Sequence, residues 1–408
     1  MRVLFISDVY FPRVNGVSTS IATFRHDLAA CNVTSTLVVP GYGAAAPGAP
    51  GEAPGELVRV ASARVPGDPE DRRMRWGALT RVLASLAPER FDLVHVHTPF
   101  VAHYAGVRFA RRAGIPCIAT YHTFFEEYLH HYVPALPRPL GRYLARAFTR
   151  SQCRAVDALV VPSEPMRALL EQYGVATPMH VLPTGLPAEC FRPADGTRFR
   201  ARFGLPPERP ILLYVGRVAH EKNIEFLIHT FVRVRAAVPA ALLVIAGEGP
   251  AQRGLRALVA RLGLAADVCF VGYLEREQAL LDCYAAAHAF VFASRTETQG
   301  LVLLEAMAQG IPVVSTAELG TRSVLQPEAG ALVVAEDAAA FAAAAIRVLE
   351  DEPLRERLAA RSRAYARTWS AQEMARRLAA LYGEVCARRA ASSSGDSATQ
   401  VARDPAGI

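Results

Sequence analysis

The apolar runs of this chain come in two series, and their spacing constrains the fold more than any other feature. In the second half, residues 211–215, 242–246, 268–271, 289–293, 312–315 and 331–334 are short, uninterrupted runs parted by stretches of helical periodicity. In the first half, 3–6, 35–39, 57–60, 93–97, 116–120 and 158–161 repeat the arrangement. Continuous apolar strands separated by helices require parallel sheets covered on both faces. Helices are expected over 15–30, 72–86 and 138–155, and, after a break at Trp369-Ser370, over 371–386. Proline and glycine in Pro183-Thr184-Gly185-Leu186-Pro187 separate the two series. The expected fold class is therefore α/β, with two Rossmann-like doubly wound domains, 1–188 and 189–368, facing a cleft. Ligands bind at the carboxyl ends of the strands in such sheets.

A chain of 408 residues is long enough for two such cores. Its net charge of +7 and its isoelectric point near 9.2 favour anionic partners, and Lys222 is the only lysine. Seven scattered cysteines form no CxxC or Cys/His ligand spacing, so a reduced cytoplasmic setting without a metal site is expected. The chain opens directly on a strand, MRVLFIS, with no leader expected, and no apolar run reaches the ~20 residues of a spanning helix. The composition from 390 to 408 is that of a disordered tail.

Several loops between strand and helix carry chemistry. Gly16, in Asn15-Gly16-Val17, opens a helix without a Cβ, which lets a pyrophosphate approach the backbone; alone, such a glycine is also an ordinary turn residue. Gly216-Arg217 and Glu221-Lys222-Asn223 follow a strand, and the Arg fork and Lys point charge suit a diphosphate leaving group, or a solvated basic loop. Gly247-Glu248-Gly249-Pro250 and Gly272-Tyr273 end strands as turns or as nucleotide contacts. His122 ends another strand, where a lone histidine is either a satisfied polar group or a functional one. His95 and His97 share a strand face with Asp92 nearby, but a third metal ligand is lacking. Basic residues mixed with Trp76, Leu79, Leu140 and Leu144 over 72–83 and 139–155 describe solvated faces or a surface for an anionic bilayer. No nucleic-acid-binding module is present.

In Ser294–Val314, Glu297 sits on a turn and Glu305 in the helix that follows, eight positions apart, around a helix start that favours an anion. This E-x7-E pattern, with the Asn15-Gly16 loop, Tyr121-His122-Thr123, Gly216-Arg217, Glu221-Lys222-Asn223, Gly247-Glu248-Gly249 and the Trp369 segment, resembles the retaining glycosyltransferases of family 4, over about residues 1 to 386. The resemblance implies the GT-B fold, with the last helix crossing back to the first domain. It implies that Glu297 contacts the donor hexose and Glu305 the ribose. Gly16 and the amides of Gly300, Leu301 and Val302 would meet the hexose or pyrophosphate. Arg217 and Lys222 would bind the diphosphate without a metal or other cofactor, His122 would lie beside the sugar and help hold developing charge, and Gly272 and Tyr273 would border the base.

Thr296-Glu297-Thr298-Gln299-Gly300-Leu301, with the run from Thr120 to Tyr128, looks like the diacylglycerol α-glucosyltransferase branch. That implies transfer of a hexose, glucose first, from a nucleotide diphosphate sugar to a lipid such as diacylglycerol, peripherally on the inner face of the cytoplasmic membrane. A GDP-mannose-dependent α-mannosyltransferase acting on envelope lipid or glycan is the alternative. A sugar-nucleotide epimerase and a non-catalytic sugar-nucleotide-binding protein are the other classes.

Overall fold

A computed structural model of the chain describes residues 1–42, 56–65, 68–122, 138–275, 278–326 and 329–401. It divides into two compact units, Met1–Thr184 with Ala371–Ile408, and Gly185–Ser370.

The sheet of the first unit contains β1 (Arg2–Ile6), β2 (Thr34–Pro40), β3 (Glu56–Val60), β6 (Leu93–Val96), β7 (Cys117–Thr120), β8 (Ala158–Val161) and β9 (Met179–Val181). The order is β3-β2-β1-β6-β7-β8-β9, with every pair parallel. Chain order runs outward from β1 in one direction and from β6 in the other, so the topological switch falls between β1 and β6. Val3, Phe5, Leu93, Ile118 and Val160 are fully or nearly fully buried, because helices cover both faces and no strand position needs to be polar. Ile21 and Phe24 of the helix Gly16–Leu28 pack with Leu378 and Tyr382 of the terminal helix Ala371–Val401 in the same core. The terminal helix thus completes the first unit.

The second unit carries β10 (Ile211–Val215), β11 (Leu242–Ala246), β12 (Val268–Gly272), β13 (Ala289–Phe292), β14 (Val313–Ser315) and β15 (Ala331–Val333). The order is β12-β11-β10-β13-β14-β15, again all parallel, and the switch lies between β10 and β13. The expected strands agree with these to within a residue at either end.

Three expectations need correction. Arg72-Arg73-Met74 is not helical: these residues end β5 (Asp68–Met74), an antiparallel partner of β4 (Ser62–Val65), and the helix begins at Trp76. The terminal helix does not stop near Cys386 but runs to Val401, through much of the expected disordered tail; no proline lies between Ala371 and Val401 to break it. Helices Val101–Ala113 and Glu164–Gln172, and strand β9, were not anticipated. Gly114, left-handed at φ 69°, closes the first of these helices and was its readable stop signal. Thr123 and the run 124–128 lie outside the described residues.

Candidate functional site

Sheet topology decides which loops meet. Two strands that flank a switch send their following helices to opposite faces, which leaves a crevice at their carboxyl ends. In the second unit those ends carry the loops 216–223, after β10, and 293–300, after β13. Lys222 Nζ donates to Glu297 Oε1 at 2.5 Å, with each side chain about one-fifth exposed. The two loops are also pinned together by a side chain on backbone: Asn223 Nδ2 donates to the Ala293 carbonyl at 3.2 Å. Asn223 is left-handed at φ 55°, a conformation that asparagine tolerates better than other side chains, and it starts the helix Ile224–Ala237. The sequence reading missed its role, although an Asn directly before an amphipathic helix was a usable signal.

Arg217 lies on the same loop, 3.9 Å from Glu221. Beneath it, the buried Tyr214 donates its hydroxyl to the Arg217 carbonyl at 3.1 Å. Burial, followed by the carboxylates of Glu297 and Glu221, pushes the Tyr214 phenol well above its ordinary range, so it remains a donor. The β11 loop is laced into this edge. Gly247 donates to the Gly272 carbonyl at 2.7 Å, and a Cβ on Gly247 would stand 2.0 Å from the Gly216 carbonyl oxygen. Only glycine permits that approach. Gly272 and the half-exposed Tyr273 are thereby tied, through Gly247, to the Arg217 loop.

Gly300, left-handed at φ 88°, turns the chain into the helix Leu301–Ala308 and sets the amides of Leu301 and Val302 in its first turn. Glu305 faces inward at 4% exposure, and its Oε2 accepts from the Tyr284 hydroxyl at 2.9 Å. The carboxylate is thus held at a fixed angle by a residue 21 positions away, a partnership with no signature in the sequence.

In the first unit, Asn15 caps the helix Gly16–Leu28 by accepting from the Ser18 amide at 2.9 Å. Gly16 is the first helical residue, and a Cβ there would meet nothing within 4 Å, so the fold's own packing does not demand glycine. His122 follows β7. Its Nε2 lies 3.2 Å from His97 Nδ1, and the two rings stack with centroids 5.5 Å apart. His95 is fixed by Tyr382 and Thr120, each at 2.7 Å, and its ring lies 4.1 Å from that of His97. Burial holds His122 down to about 4 and His95 to about 3, with His97 also well below its ordinary value. Near neutral pH all three rings are uncharged. No group of three or more His, Cys, Asp or Glu residues with metal-ligand geometry occurs among the described residues.

Comparison with known proteins covers both units. Residues 14–189 match the family described as Glycosyltransferase Family 4, and residues 195–365 match Glycosyl transferases group 1. The chain is 32% identical over 329 residues to an alpha-monoglucosyldiacylglycerol synthase of Streptococcus pneumoniae, covering 77% of this chain and 71% of that protein. It is 33% identical over 312 residues to a D-inositol 3-phosphate glycosyltransferase of Xylanimonas cellulosilytica, covering 74% of each. Among solved structures, sucrose-phosphate synthase from Thermosynechococcus elongatus superposes with a TM-score of 0.78 over 95% of this chain and 99% of that one, at 23% identity.

Proposed function

Because this chain belongs to glycosyltransferase family 4 and has the GT-B fold, we propose that it moves a hexose, glucose first, from a nucleoside diphosphate sugar to the hydroxyl of a lipid such as diacylglycerol. That it is a hexosyltransferase using a sugar nucleotide follows from the family; the lipid acceptor and the choice of glucose are the proposal. The observation that carries the site is the Lys222–Glu297 pair at the switch between β10 and β13, a cation for phosphate beside an acid for hydroxyls.

Breaking the sugar–phosphate bond leaves negative charge on the departing diphosphate and positive charge on the ring. Arg217 and Lys222 stabilise the diphosphate as it leaves, a contribution of several kcal/mol when the cations are fixed in advance. In this reading they supply the charge that a metal would otherwise provide. Glu297 accepts from hexose hydroxyls, and Glu305, braced by Tyr284, accepts from the ribose. The amides of Gly300, Leu301 and Val302 meet the hexose or pyrophosphate, and Tyr273, beside Gly272, borders the base. Gly16 offers open backbone to phosphate, and His122 a neutral imidazole to a sugar hydroxyl. The hydroxyl of the acceptor attacks on the face that the diphosphate leaves and gives its proton to the departing diphosphate oxygen, which retains the anomeric configuration.

The membrane side of the proposal rests on exposed apolar residues among arginines. Leu140, Tyr143 and Leu144 are 48%, 63% and 45% exposed on the helix Arg138–Arg154, which also carries Arg142, Arg146, Arg150 and Arg154. Trp76 is 45% exposed next to Arg75. Such a surface dips its apolar groups into a bilayer while arginine meets anionic headgroups. No helix among the described residues is long and apolar enough to cross a membrane. The reading places the enzyme peripherally on the inner face of the cytoplasmic membrane. It is tested by following release of nucleotide from UDP-glucose by the purified protein, with and without diacylglycerol: release that depends on diacylglycerol supports it, and release that ignores the acceptor argues against it.

A further inference from the structure

The loop after β14 carries two left-handed residues that are not glycine, Ala317 at φ 53° and Leu319 at φ 50°. Their Cβ atoms crowd the backbone in that conformation, and such residues persist only where their surroundings hold them. Two groups hold this turn. The buried Ser315 hydroxyl accepts from the Ala317 amide at 3.2 Å, and Arg322 Nε donates to the Ala317 carbonyl at 3.0 Å. Arg322 also donates through a terminal nitrogen to Glu318 Oε2 at 3.0 Å.

The strained turn delivers Gly320 to the loop that carries Glu297. The Gly320 amide donates to the Glu297 carbonyl at 2.8 Å. A Cβ on Gly320 would stand 2.0 Å from the Thr298 carbonyl oxygen and 2.7 Å from the Gln299 amide nitrogen, so only glycine fits between them. The Thr321 methyl lies 3.1 Å from where a Cβ on Gly300 would be, so the same segment also touches the turn at Gly300. The hydrogen bond fixes the peptide plane after Glu297, and the packing of Gly320 fixes the plane after Thr298. With those planes set, the direction of the Glu297 side chain follows. The strain makes this contact conditional, because the turn relaxes toward an ordinary conformation once its holders are removed.

We propose that Arg322 is a positioning residue for Glu297: it clamps the strained turn 317–319, which presses Gly320 against the Glu297 loop. The inference rests on the transferase reading above and adds a residue that reading does not use. The test compares wild type, Arg322→Met, Ala317→Gly and the double variant. It measures kcat and KM for the sugar nucleotide with diacylglycerol, UDP affinity by calorimetry, melting temperature, and hydrogen exchange over residues 296–302. The Arg322 side chain is 62% exposed, so its replacement leaves the core intact. Arg322→Met is expected to lower kcat about tenfold, and to speed exchange over 296–302 by about as much, through a small displacement of Glu297. UDP carries no hexose, so its affinity should be unchanged. Ala317→Gly alone should raise the melting temperature, because glycine adopts the left-handed turn without strain. Added to Arg322→Met, it should restore most of the lost kcat and protection, since a relaxed turn no longer needs the clamp. A kcat that ignores Arg322→Met, a loss that Ala317→Gly does not reverse, an equal loss of UDP affinity, or a melting temperature lowered by Ala317→Gly would each overturn the assignment. If wild type transfers no hexose, the transferase reading fails, and exchange over 296–302 alone decides whether Arg322 holds the Glu297 loop.

Discussion

Lys222 and Glu297 form an ion pair of 2.5 Å between the two loops that flank the switch point of the second unit. The pair sets a competition. A diphosphate that takes the charge of Lys222 must share it with a carboxylate already in place, and the same negative charge also repels the phosphates. Removing the carboxylate separates binding from catalysis. Glu297→Gln is expected to bind UDP or GDP about three- to tenfold more tightly, a gain of ~1 kcal/mol, while transfer is nearly abolished. Lys222→Ala should bind more weakly and lose about a hundred- to a thousandfold in turnover, the scale seen when one preorganised charge-stabilising group is removed. Calorimetry with the nucleotide and a nucleotide-release assay read both effects, and normal turnover in either variant would sink the site assignment.

Glu305 depends on Tyr284 in a way that can be isolated. Tyr284→Phe deletes one hydroxyl and leaves the ring packing intact, so it removes the 2.9 Å bond that orients the carboxylate. The loss should amount to ~1 kcal/mol, seen as a KM for the sugar nucleotide raised about fivefold with kcat little changed. A variant with unaltered KM would mean that Glu305 keeps its orientation without the tyrosine, or does not meet the donor.

Stability should fall as the solution is acidified below neutrality. Burial lowers His95 to about 3, and His103, His122 and His288 to about 4, from an ordinary value of 6.5. Between those values and 6.5 the unfolded chain binds more protons than the folded one, so stability is full above about pH 6.5 and is lost as pH falls toward 4. Asp8, raised by burial to about 6, acts in the opposite sense between 3.8 and 6, but it is one group against those four and His97. Asp282, held near 2 by Arg198, loses its contribution only below its ordinary 3.8. Melting temperatures should therefore drop from about pH 7.5 to about pH 5, and a flat or rising profile would contradict the burial of neutral histidines.

The basic surface of the first unit predicts binding to vesicles that contain anionic lipid, weakening as salt rises, because screening at about 0.15 M already shortens the reach of charge to ~8 Å. Replacing Tyr143 and Leu144 by serine should reduce binding even at low salt, since the apolar contribution is lost. Equal and salt-insensitive recovery with neutral vesicles would count against this surface.

The parts of this protein that were readable in its sequence are those with a short-range cause. The strands of the second unit were legible because sheets covered on both faces need unbroken apolar runs, and Gly16, Gly300 and the two glutamates because helix starts and turns leave local marks. Partners far apart in the chain left none: Tyr382 reaches His95 across 287 positions, and Tyr284 reaches Glu305 across 21. Arg72-Arg73-Met74 was misread because arginine and methionine favour helices, while pairing with Ser62–Val65 decides the matter. The pairing of Lys222 with Glu297 needed the strand order, which no periodicity reveals.

The central claim is that Arg217, Lys222 and Glu297 activate a nucleotide sugar for transfer to an uncharged lipid hydroxyl. Its most direct test is a donor-by-acceptor screen of the purified protein, measuring nucleotide release from UDP-glucose, UDP-galactose and GDP-mannose with and without diacylglycerol. The account predicts that release from UDP-glucose rises on addition of diacylglycerol, with one hexosyl lipid formed per nucleotide freed. Conversion of the sugar nucleotide without acceptor, or binding of UDP and GDP with no turnover under any pairing, would contradict it.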